Sequence, residues 1–213
     1  MITFYEDALC ENCYAVRLLL HMLAVPYTSH FIELYPSRAN LQPRFRAINP
    51  LAELPVIDDD GVIIAGAAPI LVYLAAKHAP GTWYATDTPA LAQVTHFLTL
   101  AERLSATVGA ARRHESGFAP TDLPAAHTGA TRLLRGLDAH LWFAEQQGNA
   151  WLLPTPHPTI ADLACFPHAI LCEEGVISRQ PYPALRRWCD RVKRLPNFLV
   201  MPGVFLTAPP KTE

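Results

Sequence analysis

The sequence is poor in charge: 17% of its 213 residues are Asp, Glu, Lys or Arg, against 51% apolar residues, and the formal net charge is only −2. So apolar a composition excludes a disordered chain. Near-neutrality removes the electrostatic reason to bind nucleic acid or an anionic membrane. Long apolar runs are missing as well. No stretch approaches the roughly 18 residues of a spanning helix, and residues 1–7 end in acids where an export signal would open with bases. Cysteine is sparse and odd in number, at Cys10, Cys13, Cys165, Cys172 and Cys189. A chain of this length holds a core without staples, so these read as reduced thiols in the cytoplasm and not as a disulfide scaffold. No His/Cys spacing suits zinc, and no metal is expected. The partner left by these exclusions is a small molecule or another protein.

What is present reads as two regions. Residues 2–5 form a strand pattern, 6–11 a loop, and Val16, Leu19, Leu20 and Leu23 the apolar face of a helix that Pro26 ends. Residues 27–34 are a second strand candidate, which makes a strand–helix–strand unit with parallel strands. After a polar, proline-containing stretch, residues 54–57 and 62–64 flank the turn Asp58-Asp59-Asp60-Gly61 as an antiparallel hairpin. A helix over about 67–77 follows, with Pro69 in its first turn. This order is the thioredoxin-like plan over residues 1–78.

Residues 78–88 lack periodicity and read as a linker, with 79–88 joining the two domains. The remainder, 89–213, is all-helical. Leu91, Val94, Leu98, Ala101, Leu104 and Val108 form one stripe, ending at Arg112-Arg113-His114; Ala130, Leu133, Leu134, Leu137 and Leu141 form another. Thr159-Ile160-Ala161-Asp162 has the spacing of a capping box and opens a third helix. A fourth runs through Leu185, Trp188, Cys189 and Val192, and the tail from Pro202 is expected to be extended.

Four segments in this order resemble the glutathione S-transferase family along nearly the whole chain: Cys-Glu-Asn-Cys-Tyr-Ala-Val-Arg-Leu-Leu-Leu (10–20), Asn-Pro-Leu-Ala-Glu-Leu-Pro-Val-Ile (49–57), Ala-Pro-Ile-Leu-Val-Tyr-Leu (68–74) and Thr-Ile-Ala-Asp-Leu-Ala (159–164). The resemblance is to bacterial, beta-like or omega-like members with cysteine at the activating position. It implies the family fold, a homodimer, glutathione as co-substrate, and thiol chemistry on a small electrophile between the domains. It places the activating residue at Cys10, just before a helix, where a sulfur meets unpaired N–H groups and acts as a nucleophile; the alternative is a spectator thiol. Cys13 completes a Cys-x-x-Cys, either as a resolving thiol in a disulfide oxidoreductase or as a core residue. Pro55 is implied to be a cis-proline that presents Leu54 to glutathione; the alternative is an ordinary trans proline at a strand start.

Two positions depart from the pattern. Where the resemblance implies Glu or Gln followed by Ser to hold the γ-glutamyl group, the chain has Gly66-Ala67, which leaves only backbone N–H groups for a carboxylate. Glu53 stands where Lys or Gln commonly meets the glycine carboxylate, and it would repel that group. The expectation is weak glutathione binding, a replacement ligand, or a non-catalytic member with a decayed site. Arg112, Arg113 and His114 are the candidates for the electrophile subsite, against a bland reading as solvated cations at a helix C-terminus.

Overall fold

The computed structural model of the protein describes residues 1–201; the tail from Pro202 lies outside them. Strand β1 (Ile2–Glu6) alternates buried and half-buried residues, the period of a strand with one face on a core. It lies inside a four-stranded sheet of order β2-β1-β3-β4. It runs parallel to β2 (Tyr27–Phe31) and antiparallel to β3 (Val56–Asp59), which pairs with β4 (Val62–Ala65). Helix α1 (Glu11–Met22) is the crossover between the parallel strands.

The strand limits differ from the sequence pattern for local reasons. At the hairpin, Asp60 and Gly61 both have positive φ (52° and 94°), a two-residue turn whose twist suits the flanking strands. Asp58 and Asp59 therefore belong to β3 instead of the turn, and β3 begins only after Pro55. Strand β2 stops at Phe31, three residues short of the expected end, because the Asp7 carboxylate takes the Leu34 N–H at 3.0 Å. The Tyr35–Pro36 peptide that follows is cis.

The short α2 (Pro43–Arg46) buries Phe45, and α3 (Ala67–His78) lays Ile70, Leu71 and Leu74 into the core beside α1. Residues 79–87 then lead into α4 (Thr88–Leu104), capped where the Asp87 side chain accepts the Ala90 N–H at 3.0 Å. A π-helical turn (Ser105–Gly109) joins α4 to α5 (Ala110–Glu115). Helix α6 (Leu123–Gln146) packs on α8 (Pro183–Lys193), which also packs on α7 (Ile160–Ile170). The sequence predicts one unbroken helix through residues 91–114, because the π turn leaves the apolar stripe intact: Leu104 and Val108 are both fully buried. Gly129 lets α6 approach this turn, since a Cβ there would lie 2.7 Å from the Thr107 methyl.

Every residue of α7 is buried. The predicted capping box forms, and Asp162 also accepts hydrogen bonds from Leu152 N–H at 3.1 Å and Trp188 Nε1–H at 2.9 Å. Burial pushes the Asp162 pKa up, and these bonds oppose it. Because α7 packs on α1, with Tyr14 and Phe166 rings 6.3 Å apart, it fixes the helix whose N-terminus carries Cys10. Among the described residues, no helix is long and apolar enough to cross a membrane.

Candidate active site

Cys10 is the N-cap of α1. Its backbone is extended (φ −80°, ψ 121°) and its Sγ accepts the Cys13 N–H at 3.5 Å, so the sulfur occupies the place of a capping oxygen. It opens into a cleft of about 500 Å³ between the sheet region and the helical region. Leu34, Tyr35, Glu53 and Leu54 line it from one side, and Glu102, Ser105, Arg113 and Phe118 from the other. Cys10 is half-buried, whereas Cys13, Cys165, Cys172 and Cys189 are buried. Burial, then the neighbouring Cys10 thiol, raises the Cys13 pKa; burial also raises that of Cys165 and takes Cys172 and Cys189 up to about 12.

The loop opposite the thiol is shaped by amide side chains. Asn49 donates to Glu53 O at 2.9 Å and accepts the Leu51 N–H at 3.2 Å, while Asn40 donates to Ala52 O at 2.7 Å. The Leu54–Pro55 peptide is cis. Pro55 O accepts the Gly66 N–H at 2.9 Å, which ties this loop to the start of α3. Leu54 and Glu53 line the cleft; Pro55, Gly66, Ala67 and Cys13 lie outside its lining. Gly66 has φ 91° and caps α3 without a side chain.

The three residues at the end of the first long helix are separated by the structure. Arg112 is buried: its Nη1 donates to Leu9 O at 2.7 Å and lies 3.4 Å from Glu11, and its Nε donates to Glu174 at 2.6 Å. It is not the solvated helix-end cation that dipole reasoning favours, because carboxylates of two other segments close around it. Arg113 is half-exposed at the cleft, donates to Ser105 O at 3.1 Å, and lies 3.9 Å from Glu11. Gly109 provides the space, since a Cβ there would stand 2.8 Å from the Arg113 Nη1. His114 turns away from the cleft, its Nδ1 accepting the Thr121 N–H at 2.9 Å.

Several lining residues carried no sequence signal. Glu11 reads as an ordinary first-turn acid, yet it is buried between the two arginines. Asp7 fixes the loop by accepting the Leu9 N–H at 2.8 Å as well as that of Leu34. Glu102 faces Glu53 across the cleft, and burial, then that like charge, raises its pKa. Tyr35 and Phe118 meet with ring centroids 5.1 Å apart. Among the described residues, no cluster of His, Cys, Asp or Glu could hold a metal ion.

Residues 9–77 match the family described as "Glutathione S-transferase, N-terminal domain". Rat glutathione S-transferase theta-1 is 30% identical over 99 residues, 46% of this chain and 41% of that enzyme. The mouse theta-1 enzyme is 27% identical over 201 residues, 91% of this chain and 82% of the relative. A glutathione transferase family member from Pseudomonas fluorescens, solved with two glutathione bound, superposes with a TM-score of 0.78 at 24% identity, covering 92% of this chain and 89% of that one. The chain thus has the glutathione transferase fold, a thioredoxin-like sheet region followed by a helical region. Family match and relatives agree in making it similar to glutathione transferase-like enzymes.

Proposed function

We propose that the protein is a glutathione transferase-like enzyme that uses Cys10 for thiol chemistry on a small electrophile, with glutathione as co-substrate. The observation that carries this reading is the half-buried Cys10 sulfur at the N-cap of α1, opening into the interdomain cleft, while the other four thiols are buried. In thiol transfer, the Cys10 thiolate attacks the glutathione sulfur of a glutathione mixed disulfide. The new S–S bond forms, the old one breaks, and the leaving thiolate departs with the bonding pair. A second glutathione thiolate then attacks the Cys10 adduct and releases glutathione disulfide and the free thiol. In conjugation, a glutathione thiolate held beside Cys10 attacks an electrophilic carbon instead, forming the C–S bond as the leaving group departs with its bonding pair.

In this reading Leu54 and Pro55 take the cysteinyl part of glutathione, the α3 N-terminus at Gly66 and Ala67 takes its γ-glutamyl carboxylate, and Glu53 weakens the glycine end. Arg113 is the cation offered to the electrophile; His114 faces away. The domains are 1–78 and 89–213 joined by 79–88, two chains form a homodimer, and the protein works in the cytoplasm, to which five free thiols are suited. Cys13 is a core thiol here; its Cys-x-x-Cys spacing keeps the oxidoreductase reading alive only if it can be oxidised in the folded protein. Calorimetric titration of glutathione into the reduced protein tests the reading: weak saturable binding supports it, and none at millimolar concentration removes glutathione as co-substrate. Sedimentation showing only monomer at micromolar concentration would remove the dimer.

A further inference from the structure

We infer that Arg112 is a positioning residue for the Cys10 thiol, by which the helical region sets where that sulfur points. This rests on the reading of Cys10 as the reactive thiol. The peptide plane between Leu9 and Cys10 is held at both of its polar atoms. Its oxygen, Leu9 O, accepts from Arg112 Nη1 at 2.7 Å, and its N–H, that of Cys10, reaches Asp7 O at 3.3 Å. The next plane is fixed by the first bond of α1, Tyr14 N–H to Cys10 O at 2.9 Å. With the planes on both sides set, φ and ψ of Cys10 are set, and with them the direction of its Cα–Cβ bond into the cleft.

The guanidinium can hold Leu9 O only because its other edge is anchored. Nε donates to Glu174 at 2.6 Å, on a short 3-10 turn (Cys172–Gly175), while Nη1 also faces Glu11, the residue after Cys10. The 3-10 turn presses directly on Arg112: a Cβ on Gly175 would come 2.9 Å from the Arg112 backbone nitrogen. The residues on either side of Cys10 and a turn more than 160 positions away in the sequence therefore converge on one planar fork. A lysine in its place keeps the charge but not the two divergent donor edges.

The test is the rate at which iodoacetamide labels each cysteine, peptide by peptide, in the folded full chain. Wild type, Arg112→Lys and Glu174→Ala are compared; Glu174 is partly exposed and lies away from the cleft lining, so its removal reaches Cys10 through Arg112 and not by direct contact. Positioning predicts that Cys10 labelling slows about tenfold in Arg112→Lys and about fivefold in Glu174→Ala, with Cys13 and Cys165 as protected as in wild type. Wild-type rates at Cys10 in both variants would overturn it, as would wild-type labelling in Arg112→Lys alone, which would leave a role only for the charge. Faster labelling of Cys13 and Cys165 alongside Cys10 would overturn it too, by making Arg112 a general stability element. Wild-type protein in which Cys10 is no faster than Cys165 would instead sink the reading of Cys10 on which the inference stands.

Discussion

The two walls of the cleft differ in how they are built. Around Cys10, the polar groups are cross-linked: Asp7 holds Leu9 and Leu34, Arg112 holds Leu9, Glu11 and Glu174, and Arg113 holds Ser105. Across from it, Glu53 confronts Glu102, and behind that lining the start of α3, at Gly66 and Ala67, has no capping side chain. The thiol is held by a network that spans both regions, whereas the wall that the proposal gives to the ends of glutathione lacks a capping side chain and carries an acid at residue 53. On the proposed reading, the difference makes chemistry at the sulfur separable from affinity for glutathione, and each substitution below acts on one wall.

The largest effect is expected from Cys10→Ser, which should abolish covalent attachment of glutathione from its disulfide while leaving the far-UV spectrum and melting temperature near wild type; attachment that persists would move the chemistry to another thiol. Next in size is the acid response of the thiol wall. His168 on α7 is buried, and burial lowers its pKa to about 4, with Glu11 opposing and Arg113 and Arg112 reinforcing the shift. A depressed histidine contributes stability that is complete above its unfolded value near 6.5 and is lost as pH falls toward 4, because the unfolded chain then binds the extra proton. Urea unfolding between pH 7 and pH 4.5 should show a loss of up to about 3 kcal/mol that His168→Gln removes; an identical pH slope in the variant would contradict it.

On the bare wall the effects are smaller. Glu53→Lys should tighten glutathione binding about tenfold by replacing repulsion with attraction at the glycine end, and unchanged affinity in a titration would show that glycine does not reach residue 53. Ala67→Ser should add a few-fold more. The companion change at Gly66 is not useful, since any side chain at φ 91° is strained. Melts with and without glutathione separate a ligand contact, which widens the gap between them, from a simple helix cap, which raises both equally. Smallest is Glu102→Gln. A carboxyl with a raised pKa destabilises the folded state once pH exceeds the ordinary glutamate value near 4.3, so the amide should raise the melting temperature slightly at pH 7 and not below pH 4. A gain of equal size at both pH values would mean that charge is not the cause.

The bare wall was the more legible of the two in the sequence. The missing side chains at Gly66-Ala67 and the acid at Glu53 are local departures from a pattern, and the Leu54–Pro55 pair, the helix start at Cys10 and the Thr159/Asp162 capping box are local matches to it. Helical periodicity gave the helices, while the strand limits shifted where Asp7 or Asp60-Gly61 intervened. The thiol wall was hidden because its contacts are long-range. Arg112 meets Leu9 across 103 positions and Glu174 across 62, and nothing near it in sequence distinguishes it from Arg113. The π turn at Ser105–Gly109 preserves the apolar stripe, so periodicity alone does not reveal it.

The central claim is that one thiol of five is presented for chemistry. Reduced native protein treated with glutathione disulfide and analysed by intact mass and peptide mapping tests it most directly. The account predicts a single glutathione per chain, attached at Cys10 and removed by excess glutathione, with Cys13, Cys165, Cys172 and Cys189 unmodified. No adduct under native conditions, or one spread evenly over Cys10 and the buried thiols, would contradict it.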